Sequence, residues 1–205
     1  MTTTRRDLLQ AALAATAATA LPAMARAQGA PTGPTVEDVH FDPEIPVLGN
    51  RDGDVTVSEY FDYQCPYCKR GHDDLLDVVR ADGNVRLVMK DWPIFGGPSV
   101  HAAGLVLAAG DRYAEGLNAL MATPGRLSRE DVDATLADAG FDPAALAAAS
   151  QRDMARIDGI LARNMDQANA FGFRGTPAFV IGTRIYNGAL DRRTLVEAID
   201  TARRG

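Results

Sequence analysis

Cys65-Pro66-Tyr67-Cys68 holds both cysteines of the chain, and it stands where a strand-like run hands over to a helical one. Upstream, Val55-Thr-Val-Ser-Glu-Tyr-Phe61 alternates in the manner of a strand. Downstream, Pro66 to Ala81 carries Leu75, Leu76, Val78 and Val79 on a helical stripe that Asp82-Gly83 brings to an end. Val85 to Lys90 reads as a second strand, reached through a connection long enough for a crossover helix, so the two strands are expected to run parallel in one sheet. The pair therefore sits inside a βαβ unit, at the N-terminus of its helix.

Beyond the second strand, Ser99 to about Phe171 is Ala-rich and helical in pattern, broken at Gly110, Thr123-Pro-Gly125 and Gly140. Ser128 and Asp142-Pro143 are placed to start two of these helices. Ala178-Phe-Val-Ile181 and Arg184-Ile-Tyr186, separated by Gly182-Thr183, read as a β-hairpin, and Asp191 caps a closing helix to Arg204. The order is βαβ, a helical block, then ββα.

Three readings are open to the cysteines. A structural disulfide across so short a loop removes little entropy from the unfolded chain and adds little stability. A closed zinc site needs four ligands; His72 is the one nearby candidate, while His40 and His101 lie far off in sequence. Redox exchange draws its physics from position: unpaired N–H groups and the dipole at a helix N-terminus favour a thiolate, which is the attacking species. In that reading Cys65 is the exposed nucleophile, Pro66 preorganises the first turn without losing a hydrogen bond, and Cys68 is the more shielded, resolving thiol.

Two stretches, Glu59-Tyr-Phe-Asp-Tyr-Gln-Cys-Pro-Tyr-Cys68 and Gly175-Thr-Pro-Ala-Phe-Val-Ile-Gly182, resemble those of the DsbA-like thiol–disulfide oxidoreductases of bacterial cell envelopes. The likeness runs from about Asp42 to the C-terminus. It implies an α/β, thioredoxin-like fold with an inserted helical domain: 36–98 and 172–205 as the two parts of the thioredoxin-like domain, 99–171 as the insertion. It also implies a cis Thr176–Pro177 bond facing the cysteines, with the Thr176 backbone pairing to an extended substrate as an added strand. Glu59 falls where the family keeps a buried acid near the thiols, and Lys90 looks like its partner; an ordinary strand-end ion pair is the alternative. Tyr67 either lies over the thiols or against a substrate, or is a plain exposed turn residue. His72, beside Lys69 and Arg70, is expected on a solvated polar face. Trp92-Pro-Ile-Phe95 is expected to pack under the insertion, with a groove wall as the alternative.

The resemblance implies a protein-level thiol–disulfide oxidoreductase with no cofactor beyond the Cys65–Cys68 disulfide and no metal. Tyr67 and Thr176 depart from the best-known oxidases, which have His and Val there, and are shared with relatives linked to copper tolerance and disulfide isomerisation. Those isomerases usually oligomerise through an N-terminal extension, and only about 27 residues separate the cleavage site proposed below from Val55. A monomeric oxidase is therefore expected, with an isomerase or reductase as runner-up and a copper-binding thiol module third. Its partners would be reduced or misoxidised exported proteins and a membrane redox protein.

The first residues fit export. Arg5-Arg6 precedes an Ala/Thr/Leu run and Ala25-Arg26-Ala27, a small-x-small cleavage site, so 1–27 reads as a signal peptide, of twin-arginine rather than general type, leading to the periplasm or another extracytoplasmic space. Residues 28–35, with Gly29, Pro31, Gly33 and Pro34, read as a flexible tether. The chain carries 21 basic and 27 acidic residues, a net −6; loss of Arg5, Arg6, Asp7 and Arg26 leaves 18 and 26, a net −8. So acidic a chain offers no broad basic surface for nucleic acid.

Overall fold

The computed structural model describes residues 33–205; the proposed signal peptide 1–27 and all but the end of the 28–35 tether lie outside the described residues. A five-stranded sheet in the order β1-β3-β2-β4-β5 forms the centre. Its strands are β1 Val47–Gly49, β2 Val55–Phe61, β3 Val85–Asp91, β4 Ala178–Ile181 and β5 Arg184–Asn187. β2 and β3 are parallel, joined by α2, Pro66–Asp82, as the βαβ reading requires; the other pairings are antiparallel. The three-residue edge strand β1 is an addition that periodicity did not signal.

Register decides which residues meet. Glu59 lies opposite Met89 and Phe179, whereas Tyr60 lies opposite Lys90 and Ala178. Since side chains alternate across a sheet, Val57, Glu59, Phe61, Met89, Phe179 and Ile181 share one face, and Ser58, Tyr60, Lys90, Ala178 and Val180 the other. The first face packs with α2 and α8, Arg192–Arg204, through Leu75, Val79, Leu195 and Ile199. The second packs with α1, Val36–His40, and α7, Met154–Ala170, through Val39 and Ala168, joined by Trp92 just after β3 and Phe173 just after α7. All seven positions of β2 and of β3 are buried, so the alternation read in Val55–Phe61 reflects two covered faces of different chemistry rather than one covered and one wet.

Between β3 and β4 come α3 Gly97–Leu107, a 3-10 turn at Gly110–Arg112, α4 Tyr113–Met121, α5 Arg129–Asp138, α6 Pro143–Arg152 and then α7. Ser128 caps α5 in a capping box with Asp131, Asp142 caps α6 and Asp191 caps α8, each by its side-chain oxygen on first-turn N–H groups. Gly83 ends α2 in the left-handed region at φ 73°, and Gly182 turns the β4–β5 hairpin at φ 58° with Ala202 packed where a Cβ would point. The architecture is a thioredoxin-like fold with a helical insertion.

Candidate functional site

Cys65 is the N-cap of α2 and Pro66 its first residue, where a missing N–H goes unnoticed. The Cys68 N–H donates to Cys65 Sγ at 3.4 Å, and Cys65 S–H donates to the Thr176 carbonyl at 3.1 Å. The Thr176–Pro177 bond is cis. β4 is thus preceded by a loop that reaches the cysteine pair from the far end of the chain, and Thr176 and Pro177 share a groove of about 640 Å3 with Tyr67, Arg174 and Asn187. Tyr67 stands out on the surface, 58% exposed, with the Arg70 guanidinium 4.3 Å from its ring centroid. Both cysteines are free thiols, and each residue is only 1% exposed. The expectation of an exposed Cys65 beside a shielded Cys68 is corrected: the Thr176–Pro177 loop covers Cys65, and what distinguishes the two is their bonding.

That bonding sets opposite acidities. The Cys65 thiol is pulled down to about 6, first by the S–H of Cys68, then by Thr176 and by the N–H groups of Cys68 and Tyr67, against the opposing effect of burial. The Thr176 hydroxyl has no other partner among the described residues, so it is available to a Cys65 thiolate even though the Thr176 carbonyl accepts from the thiol form. Cys68 is pushed far up by burial, by its own hydrogen bond to Cys65 and by the charges of Glu59 and Cys65.

Glu59 lies on the cysteine side of the sheet, 3% exposed, with Oε2 unpartnered among the described residues. Burial, and then the Cys65 charge, raise its carboxyl to about 8. A crevice of about 10 Å3, roughly one water's worth, runs from Glu59 to Tyr67 and Pro177. Lys90 is not its partner. It projects from the other sheet face, fully buried, with Nζ donating to the Asp38 carbonyl at 3.4 Å, and burial lowers it to about 8. The parity of the parallel register separates the two, so the expected Glu59–Lys90 pair is corrected.

His72 also departs from expectation. It is 3% exposed rather than solvated, because α4 covers that side of α2, and its Nε2 makes a 2.8 Å hydrogen bond to Asn118 Oδ1. Among the described residues no three His, Cys, Asp or Glu side chains come together as a metal site would require. Trp92 packs in the core against Tyr60 and Phe173, while Ile94 and Phe95 are part-exposed.

Two residues of the approach to α2 escaped sequence reasoning. Asp62, 1% exposed, accepts from the Gln64 N–H at 2.7 Å, the Ser99 hydroxyl at 2.7 Å and the Phe95 N–H at 3.0 Å, tying the β2–α2 loop to the start of the insertion. Gln64 exchanges two hydrogen bonds with the Leu127 backbone, at 2.9 and 2.7 Å. The signal for Asp62 was available: an Asp whose carboxylate takes the N–H two residues on is an Asx turn.

Residues 42–201 match the family described as Thioredoxin. A thioredoxin-like oxidoreductase from Silicibacter pomeroyi DSS-3 superposes with a TM-score of 0.78 at 38% identity, covering 84% of this chain and 99% of that one. The thiol-disulfide exchange protein alpha-DsbA2 from Wolbachia pipientis gives a TM-score of 0.74 at 25% identity, over 80% and 90%. Among curated proteins, the Na(+)/H(+) antiporter NhaA 1 of Salinispora arenicola is 31% identical over 165 residues, 76% of this chain but 24% of that protein. The chain spans about a quarter of the length of the curated relatives it matches. No helix among the described residues is long and apolar enough to cross a membrane. With its matched span, its sheet order and its paired thiols at a helix N-terminus, the chain belongs to the thioredoxin family, and its fold is similar to those of a thioredoxin-like oxidoreductase and a DsbA-type thiol-disulfide exchange protein.

Proposed function

We propose that the chain is an exported enzyme that donates disulfides to reduced proteins in the periplasm or another extracytoplasmic space. The observation that carries this reading is the unequal acidity of the pair, with Cys65 held as a thiolate at about 6 and Cys68 kept protonated. Stabilising the reduced form of a dithiol makes its disulfide a stronger oxidant.

In the cycle, a client thiolate attacks Sγ of Cys65 in the Cys65–Cys68 disulfide. The S–S bond breaks and Cys68 leaves, taking up a proton; the Glu59 carboxyl, neutral below about 8, is the nearby donor. A second client thiolate then attacks the client sulfur of the mixed disulfide and expels Cys65 as a thiolate, a good leaving group because its pKa is low. The client loses two electrons and the pair gains them, so no cofactor is needed. Pro66 holds the turn, while Thr176, Pro177 and Tyr67 border the client. A membrane redox partner returns the pair to the disulfide. The leader-like residues 1–27 fit export.

The test is the equilibrium of the pair with glutathione buffers, read by thiol alkylation and mass spectrometry on the chain without residues 1–27. A pair that stays reduced in mildly oxidising buffer supports disulfide donation. A pair that stays oxidised until the buffer is strongly reducing would replace that direction with reduction or repair.

A further inference from the structure

The groove beside Pro177 is positively charged in a molecule whose net charge is negative. Residues 33–205 carry 18 basic and 26 acidic side chains, once Arg5, Arg6, Asp7 and Arg26 are set aside from the 21 and 27 of the whole sequence. Yet among the described residues no carboxylate lines this groove, and its one charged wall residue is Arg174. Arg174 is exposed, and among the described residues it has neither an ion-pair nor a hydrogen-bond partner, in contrast to Arg163, Arg192 and Arg203, each of which grips two or more carboxylates. Arg70 places its guanidinium 4.3 Å from the ring centroid of Tyr67, another lining residue, so a second positive charge stands close to the groove without lining it. Gly175 and Gly188 leave the floor open to backbone, the opening an extended segment needs.

We infer that Arg174, with Arg70 near the same groove, selects clients that carry a carboxylate close to the reactive cysteine. Arg174 precedes Thr176 by two positions in a loop that bends at Gly175, Thr176 and Pro177, so its guanidinium stands close to the passage beside Thr176, where a client residue a short step from the reactive cysteine, on one side or the other, comes into reach. A planar fork of donors suits a carboxylate better than any other side chain of an extended peptide. The inference rests on the exchange reading above and narrows its substrate class.

The experiment uses the oxidised chain and four short peptides, Glu-Ala-Cys, Cys-Ala-Glu and their Lys counterparts within an otherwise neutral sequence. Exchange rates are measured at about 0.1 M salt for the wild type and for Arg174→Glu. Each rate is divided by that of the same peptide with neutral hydroxyethyl disulfide, which removes the effect of the peptide charge on its own thiol. For at least one placement, the Glu-to-Lys rate ratio should fall about tenfold from wild type to Arg174→Glu, the size of a few exposed pair interactions gained and lost together, and raising the salt should shrink that difference. A ratio unchanged by Arg174→Glu for both placements would overturn the charge preference while leaving exchange intact. Failure of every peptide to exchange with the wild type would overturn the exchange reading itself.

Discussion

Replacing Glu59 by Gln should make the protein's stability less dependent on pH, by an amount that follows from burial. The carboxyl sits at about 8 in the fold against 4.5 for an unhindered glutamate, first because burial penalises its charge and second because of the Cys65 thiolate. A raised carboxyl contributes stability that is fully present below the unfolded value and is lost as pH rises through the folded one. At about 1.4 kcal/mol per pH unit, the loss is about 4 kcal/mol between pH 5 and pH 9. Gln fills the same space and cannot ionise. Its buried amide leaves a group unpaired, costing about 1–3 kcal/mol, but that cost is the same at every pH and cancels when the two conditions are compared. The assay is urea unfolding of wild type and Glu59→Gln at about pH 5, 7 and 9, in the oxidised form to remove the thiolate contribution and again in the reduced form. The variant should gain on the wild type as pH rises, by a few kcal/mol, and more in the reduced form. A difference that changes by less than about 1 kcal/mol across that range would refute the claim that burial holds this carboxyl neutral.

Two further outcomes follow from the same electrostatics. Thiolate absorbance of the reduced pair should rise with a midpoint near 6, from Cys65 alone, and Cys68→Ala should move it upward because the Cys68 S–H is its largest stabiliser; a midpoint that stays put in the variant would contradict that assignment. Lys90, lowered from 10.5 to about 8 by burial, is charged at neutral pH at a cost that builds as pH falls from the unfolded value to the folded one and is complete at pH 7, so Lys90→Met should raise the unfolding free energy there, and with it the urea midpoint, by roughly 3 kcal/mol. The Asp38 carbonyl keeps the Gln167 amide at 2.9 Å in that variant, so no acceptor is orphaned, and a lower midpoint would refute the argument.

What the sequence revealed was local chemistry, and what it hid was register and cover. Pro66 after a strand, Gly83 in a left-handed turn and oxygen caps at Ser128, Asp142 and Asp191 each act within a few residues, so α2, α5, α6 and α8 could be placed from the chain alone. β1, three residues long, is too short for periodicity to reveal; it exists because β3 offers it an edge. Glu59 and Lys90 both stand on strands bound for one sheet, but which face each takes depends on a one-residue register that composition does not encode. His72 lies on a helix whose outer side faces solvent in a bare βαβ unit; α4 closes over it here, and Asn118 supplies the hydrogen bond. Cys65 is covered by a loop more than a hundred residues away, so its exposure could not be read from the motif.

The most direct test of the account is to trap the exchange on Cys68→Ser. With Cys68 gone, peptides presented as mixed disulfides with a small thiol should be attacked by the Cys65 thiolate, which breaks their S–S bond, takes the peptide sulfur and releases the small thiol; mass spectrometry should place every adduct on Cys65, with Cys65→Ser inert. A Cys65→Ser protein that still exchanges disulfides at the wild-type rate would contradict the assignment of Cys65 as the reacting sulfur.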